Sequence, residues 1–105
     1  MVNNEFFELY RHPKWQEKRL EIMNDANFTC ERCGSKEKTL NVHHRYYEKG
    51  KKPWQYPNES LDCLCEDCHK DTQNELNDIK ALLHKIPPKE LWHVIKFLKW
   101  FLEDI

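Results

Sequence analysis

The residues in this chain best suited to chemistry are its cysteines and three of its six histidines. Cys30 and Cys33 form one Cys-x-x-Cys pair, and Cys65 and Cys68 form another. Two such pairs suit a single tetrahedral structural zinc held by four thiolate sulphurs. His43 and His44 close the alternating run Leu40-Asn41-Val42-His43-His44, and His69 directly follows the second cysteine pair. A zinc held by cysteines alone leaves these imidazoles free for other work. Neutral imidazole binds metal ions and accepts protons near neutral pH. Cys63, the fifth cysteine, alternates with Leu64 in an expected strand and reads as a small core residue. His12, His84 and His93 have no such pattern around them, so surface or packing roles are the expectation.

Specific elements must hold these residues in place. Asn3 to Tyr10 carries Phe6, Phe7, Leu9 and Tyr10, too many apolar groups for a solvated tail; a short helical or irregular segment packed on the domain is expected. Pro13 suits the first turn of a helix, where its missing N–H is not needed. Trp15, Arg19, Leu20, Ile22 and Met23 predict a helical face through about Asn24, and Asn24-Asp25-Ala26-Asn27 is turn chemistry that stops it. Gly34 can take the positive φ that a cysteine knuckle often needs. On a strand from Leu40, alternation puts Leu40, Val42 and His44 on one face and Asn41 and His43 on the other. The two histidines would then divide their labour, one binding a metal while the other faces elsewhere.

Residues 46–60 form a long connection with Gly50, Pro53 and Pro57, in which Trp54 and Tyr56 are expected anchors; loops of this length in a compact domain are often functional. Leu61-Asp62-Cys63-Leu64 returns as a second strand. A helix is expected from about Glu66 to His84, with Leu76, Ile79, Leu82 and Leu83 on its apolar face. Pro87-Pro88 ends it and opens a last helix. There Leu91, Val94, Ile95, Leu98, Phe101, Leu102 and Ile105 form a stripe that Trp92, Phe97 and Trp100 broaden. A helix so widely apolar packs on two sides or meets a partner, so a homodimer or protein contact through residues 88–105 is one expectation and core packing the other.

With 105 residues, 33% of them charged, the chain is expected to be one domain whose modest core is helped by a metal staple. No apolar run approaches the roughly 20 residues needed to span a bilayer. Met1 to Glu5 lacks the basic and apolar regions of a signal peptide, so a cytoplasmic location with reduced, metal-binding thiols is expected. The net charge of -1 does not favour a nucleic-acid partner, but its distribution is uneven. Residues 11–52 carry a balance of +5 and residues 53–105 a balance of -4. A basic half around the histidines can contact phosphates; an ordinary solvated surface is the alternative.

The order Cys-x-x-Cys, Val-His-His, Cys-x-x-Cys-His resembles the HNH endonuclease family, and in particular the small free-standing HNH proteins of bacteria and their phages. The likeness runs from about Tyr10 to Gln73. It includes His12-Pro13-Lys14-Trp15 and the loop Tyr46-Tyr47…Pro53-Trp54-Gln55-Tyr56. The resemblance implies an α+β fold: a small ββα-metal (His-Me finger) core with a structural zinc, flanked by N-terminal and C-terminal helices. It implies a single HNH-type domain over 1–105, with a core at about 10–73 and a helical extension at about 74–105.

The resemblance also implies roles. His44 matches the general base, His43 and His69 match ligands of a catalytic divalent metal (Mg²⁺, Mn²⁺, Ni²⁺ or Zn²⁺), and DNA is the partner. Arg45, Lys49, Lys51 and Lys52 would hold backbone phosphates, contacts that position a duplex without reading sequence. The chain departs from the family pattern at two positions. Ser60 stands where an asparagine orients the base, with Asn58 two residues away, and Gln73 stands where a third metal ligand follows His69 by one helical turn. The implied function is metal-dependent hydrolysis of DNA phosphodiester bonds. The alternatives are a nucleic-acid-binding module that kept the zinc-stapled finger without cleavage, or a protein-interaction module.

Overall fold

In the computed structural model, residues 4–103 and 105 are described, with side chains from Glu8 onward in that range. Asn3 and the Phe6 and Phe7 side chains lie outside the described set. The elements in order are α1 (Asn4–Arg11), α2 (Pro13–Asp25), β1 (Leu40–His44), β2 (Leu61–Cys65), α3 (Glu66–Leu83) and α4 (Leu91–Glu103), with short 3₁₀ turns at Pro53–Gln55, Asn58–Ser60 and Pro88–Glu90. The fold is thus mixed helix with a small two-stranded antiparallel sheet. The backbone falls into two compact units, Met1–Thr72 and Gln73–Ile105.

In the first unit, α2 starts where its residue chemistry allows. The His12 ring accepts a hydrogen bond from the Lys14 backbone N–H at 3.1 Å, and Pro13 occupies the first helical position. Trp15, Ile22 and Met23 are buried, whereas Leu20 is 53% exposed. At 100° per residue Leu20 falls about 140° from Trp15, off the face that packs. The apolar cluster of Ile22, Met23, Tyr56, Leu61 and Cys63 joins α2 to the sheet, with Leu40 and Val42 against it.

The strand register pairs His44 with Leu61, His43 with Asp62, Val42 with Cys63, Asn41 with Leu64 and Leu40 with Cys65. Directly opposed residues share a face. Leu40, Val42 and His44 therefore lie on the same face as Leu61 and Cys63, and His43 lies on the other with Asp62. Cys63 is fully buried among apolar neighbours, as its alternation with Leu64 implied. Tyr56 anchors the long connection: it is buried, and its hydroxyl accepts the Glu48 N–H at 2.8 Å. Trp54 stacks on His12 at 4.6 Å, so this histidine both caps α2 and holds the loop.

In the second unit no residue of α4 is buried. Trp92, Ile95, Phe97, Leu98, Trp100, Phe101 and Leu102 are all exposed, and so are Ile79, Leu82 and Leu83 of α3. The apolar faces read from helical spacing exist, but within this unit they do not close on each other. Among the described residues, no helix is long and apolar enough to cross a membrane.

Candidate functional site

The four cysteines come from three places: the knuckle after α2, the last residue of β2, and the first turn of α3. Their sulphurs all lie within 4.8 Å of one another. The Sγ atoms of Cys33 and Cys65 are 3.7 Å apart. Zinc–sulphur bonds of about 2.3 Å in a tetrahedron imply sulphur separations of about 3.8 Å, so the donor set fits zinc. Each pair is shaped by its backbone. The Cys33 N–H donates to the Cys30 sulphur and the Cys68 N–H to the Cys65 sulphur, both at 3.4 Å. Gly34 takes φ +79° and donates its N–H to the Cys30 carbonyl at 2.9 Å, a left-handed turn suited to glycine.

The knuckle is tied to the sheet through Glu31. Its N–H donates to the Cys63 carbonyl at 2.9 Å and its carboxylate accepts the Cys63 N–H at 3.3 Å. Arg32 reaches Thr72 of α3 at 2.8 Å, and the Glu66 N–H at the start of that helix donates to the Thr39 carbonyl at 2.9 Å. Burial alone would raise the Cys30 thiol, but backbone N–H groups of Cys33, Cys65 and Arg32 bring it down to about 6. The Cys68 thiol is pushed up to about 12, chiefly by its hydrogen bond to the Cys65 side chain. Four sulphurs this close favour sharing their charge with a cation rather than with protons.

The histidines divide as the strand alternation implied. His43 is 3% exposed, and its ring meets that of His69, in the first turn of α3, at 5.5 Å centroid to centroid. Its Nδ1 is buried with no hydrogen-bond partner. Burial, then the neighbouring His69, hold His43 below the ordinary imidazole pKa, against the opposing pull of Asp62. Among the described residues the four cysteines are the sole group of three or more metal-ligating side chains this close together, so His43 and His69 converge as a pair. Gln73, one helical turn beyond His69 in α3, is the first residue of the second unit.

His44 lies on the α2 side of the strand, inside an aromatic enclosure. Trp15 stacks on it at 5.2 Å and Tyr47 at 5.1 Å, while Tyr56 at 5.0 Å and Tyr10 at 6.4 Å meet it edge-on. Its Nε2 lies 3.0 Å from the Pro53 carbonyl. A carbonyl only accepts, so Nε2 carries the proton and Nδ1 the lone pair. Burial lowers the His44 pKa and favours the neutral ring. The neighbouring polar groups are engaged elsewhere. Ser60 Oγ donates to the Pro57 carbonyl at 2.7 Å. Asn58 accepts from Lys18 and donates to Glu21, which turns it toward α2.

The basic residues are not equally available. Arg45 makes a two-point contact with Asp62, from Nη2 at 2.8 Å and from Nε at 3.0 Å. Lys51 pairs with Glu48 at 3.2 Å and lies over the Tyr56 ring at 5.0 Å. Lys52 lies over Trp54 at 5.7 Å. Lys49 lines a cleft beside Tyr47. Two features escaped the sequence reading: the rings around His44 and the Asp62–Arg45 pair beside His43. The second had a signal, since setting Val42 against Cys63 places Asp62 opposite His43.

Fold and site together define a small mixed-helix protein with a two-stranded sheet and a four-cysteine cluster able to hold a structural metal such as zinc. No family model, curated protein or solved structure matches the chain.

Proposed function

We propose that this chain is a metal-dependent DNA endonuclease of the HNH type, hydrolysing phosphodiester bonds. The observation that carries the reading is the convergence of His43 and His69, at 5.5 Å, with a buried and unpartnered imidazole nitrogen on His43. On this reading β1, β2 and the start of α3 are the ββα-metal finger, and the four-cysteine zinc is its staple. His43 and His69 would hold a catalytic divalent ion. Such an ion supplies charge neutralisation at the scissile phosphate.

His44 is the base. Its Pro53 contact presents Nδ1 as the acceptor for a proton from water, and its neutral form is the one that can accept. Lys49, Lys51 and Lys52 hold flanking phosphates, with Arg45 contributing when a phosphate replaces Asp62. Ser60 stands where the family's orienting asparagine is, and the Pro53 carbonyl takes over that orienting task.

A second reading, a DNA-binding module without cleavage, is favoured by one observation: at 3% exposure, His44 is closed in by Trp15 and Tyr47. Supercoiled-plasmid nicking by the zinc-loaded protein, with Mg²⁺, Mn²⁺, Ni²⁺ or Zn²⁺ titrated, separates the two. The expected outcome is nicking that needs metal well beyond saturation of the cysteines, because two imidazoles make a weak site. His43→Ala or His69→Ala should abolish it, and His44→Ala should slow it by about 10² to 10⁴-fold, the usual contribution of a general base. A parent that nicks with none of these ions defeats the nuclease reading, and a salt-dependent gel shift of the same protein then establishes the binding module.

A further inference from the structure

A cleft of about 300 Å³ opens beside the His44 enclosure. Its walls include Tyr10, Tyr47, Pro53 and Tyr56, and Lys49 and Lys51 also line it. The exposed Tyr47 ring and the half-buried Tyr10 ring, above the buried Tyr56, make a surface for a flat apolar group, and two ammonium groups beside the Glu48 carboxylate make a surface for an anion. At the small end of the roughly 300–1,000 Å³ range of ligand pockets, the cleft suits one planar ring system rather than a helix or an extended segment. Tyr47 has one face against His44 and is nonetheless 64% exposed, so much of the ring is open to a ligand. Lys51 is held over the Tyr56 ring and beside Glu48, 3.2 Å away, which places its charge next to the aromatic wall.

We propose that this cleft binds an unpaired nucleobase, with Lys49 and Lys51 holding the adjoining phosphate. The inference rests on the reading above only in taking nucleic acid as the partner. A duplex keeps its bases stacked inside and offers phosphates; a single strand, gap or flap offers both the flat ring and the anion that this cleft combines. Stacking on aromatic side chains tolerates any base, because every base has a π face. Pro53 links the cleft to the base site, since it lines the cleft and its carbonyl holds His44. A strand captured by its unpaired base is thereby placed beside that histidine, and structures with unpaired nucleotides are the preferred substrates.

The test is fluorescence anisotropy with the zinc-loaded 105-residue chain and no other divalent ion. The probes are a short oligothymidylate, an abasic strand of the same length and charge, and a duplex. The base-bearing strand should bind about tenfold more tightly than the abasic one. Tyr47→Ala, with zinc content and helix signal unchanged, should remove that difference, and Tyr47→Phe should keep it. The pair Lys49→Ala and Lys51→Ala should weaken both strands alike. Equal affinity of the parent for base-bearing and abasic strands overturns the proposal, as does a difference that survives in Tyr47→Ala. Base preference without metal-dependent cleavage of either the plasmid or a gapped strand supports the cleft and defeats the nuclease reading; cleavage without base preference does the reverse.

Discussion

Cys65 and Cys63, two residues apart in β2, show how placement separates like side chains. Both are fully buried, yet one sits among sulphurs and the other among Ile22, Met23 and Leu61. Burial raises the Cys63 thiol, which remains protonated, as a core residue should. Replacing a cysteine of the cluster is a different matter. Binding energy at a structural zinc site is largely folding energy, on the order of 10 kcal/mol, comparable to the whole stability of a small domain. Cys68→Ser is therefore expected to lose zinc and unfold the first unit. Metal content and circular dichroism check this, and a Cys68→Ser spectrum that in excess chelator still matches that of the zinc-loaded parent would refute it.

Among the elements, α2 packs on the sheet through Trp15, Ile22 and Met23, and its periodicity alone overstates which residues pack. Leu20 and Ile22 both belong to the apolar face read from spacing, but Ile22 is 4% exposed and Leu20 53%. Removing buried methylenes from a close-packed cluster costs transfer energy and leaves a cavity, so Ile22→Ala should destabilise by about 2–5 kcal/mol. Leu20→Ala should stay within about 0.5 kcal/mol of the parent, as surface changes do. Urea titration of the two variants decides the matter, and equal losses would mean that Leu20 is buried in solution. The hairpin shows the opposite relation. Its period-2 pattern named the faces correctly, because one face is covered by α2 and a slip of one residue would turn Val42 out of the core.

At the scale of the molecule, charge distribution and charge availability differ. Residues 11–52 hold an excess of five positive charges, yet Arg45 is engaged by Asp62 and Lys51 by Glu48. Each phosphate neutralised contributes about -0.9 to the slope of log affinity against log salt on duplex DNA. With Arg45, Lys49, Lys51 and Lys52 as the contacts, the slope should be no steeper than about -3.6. Gel shifts across a salt series measure it. A much steeper slope would place the interface elsewhere on the chain, and no salt dependence would remove nucleic acid as the partner. The second unit contributes an unclosed apolar helix, and its exposed Trp92 and Trp100 belong to the expectation of a homodimer or protein contact through residues 88–105.

Much of this architecture was present in local pattern. Paired cysteines announce a metal cluster because short spacings bring two thiolates to one point; alternation divides His43 from His44; Pro13 and Pro88 mark where helical segments begin. Helix ends and the β1 span follow from the same short-range physics. Tertiary structure decided what local pattern does not carry. That four sulphurs meet depends on the knuckle, the strand end and the first turn of α3 being joined through Glu31 and Arg32. That His44 is sealed by Trp15 and Tyr47 depends on α2 and the long connection closing over one strand face. That Arg45 is taken by Asp62 depends on strand register. Each is a contact between residues 17 or more apart in the chain, or across a loop whose path no period describes, and burial follows from those contacts rather than from residue type.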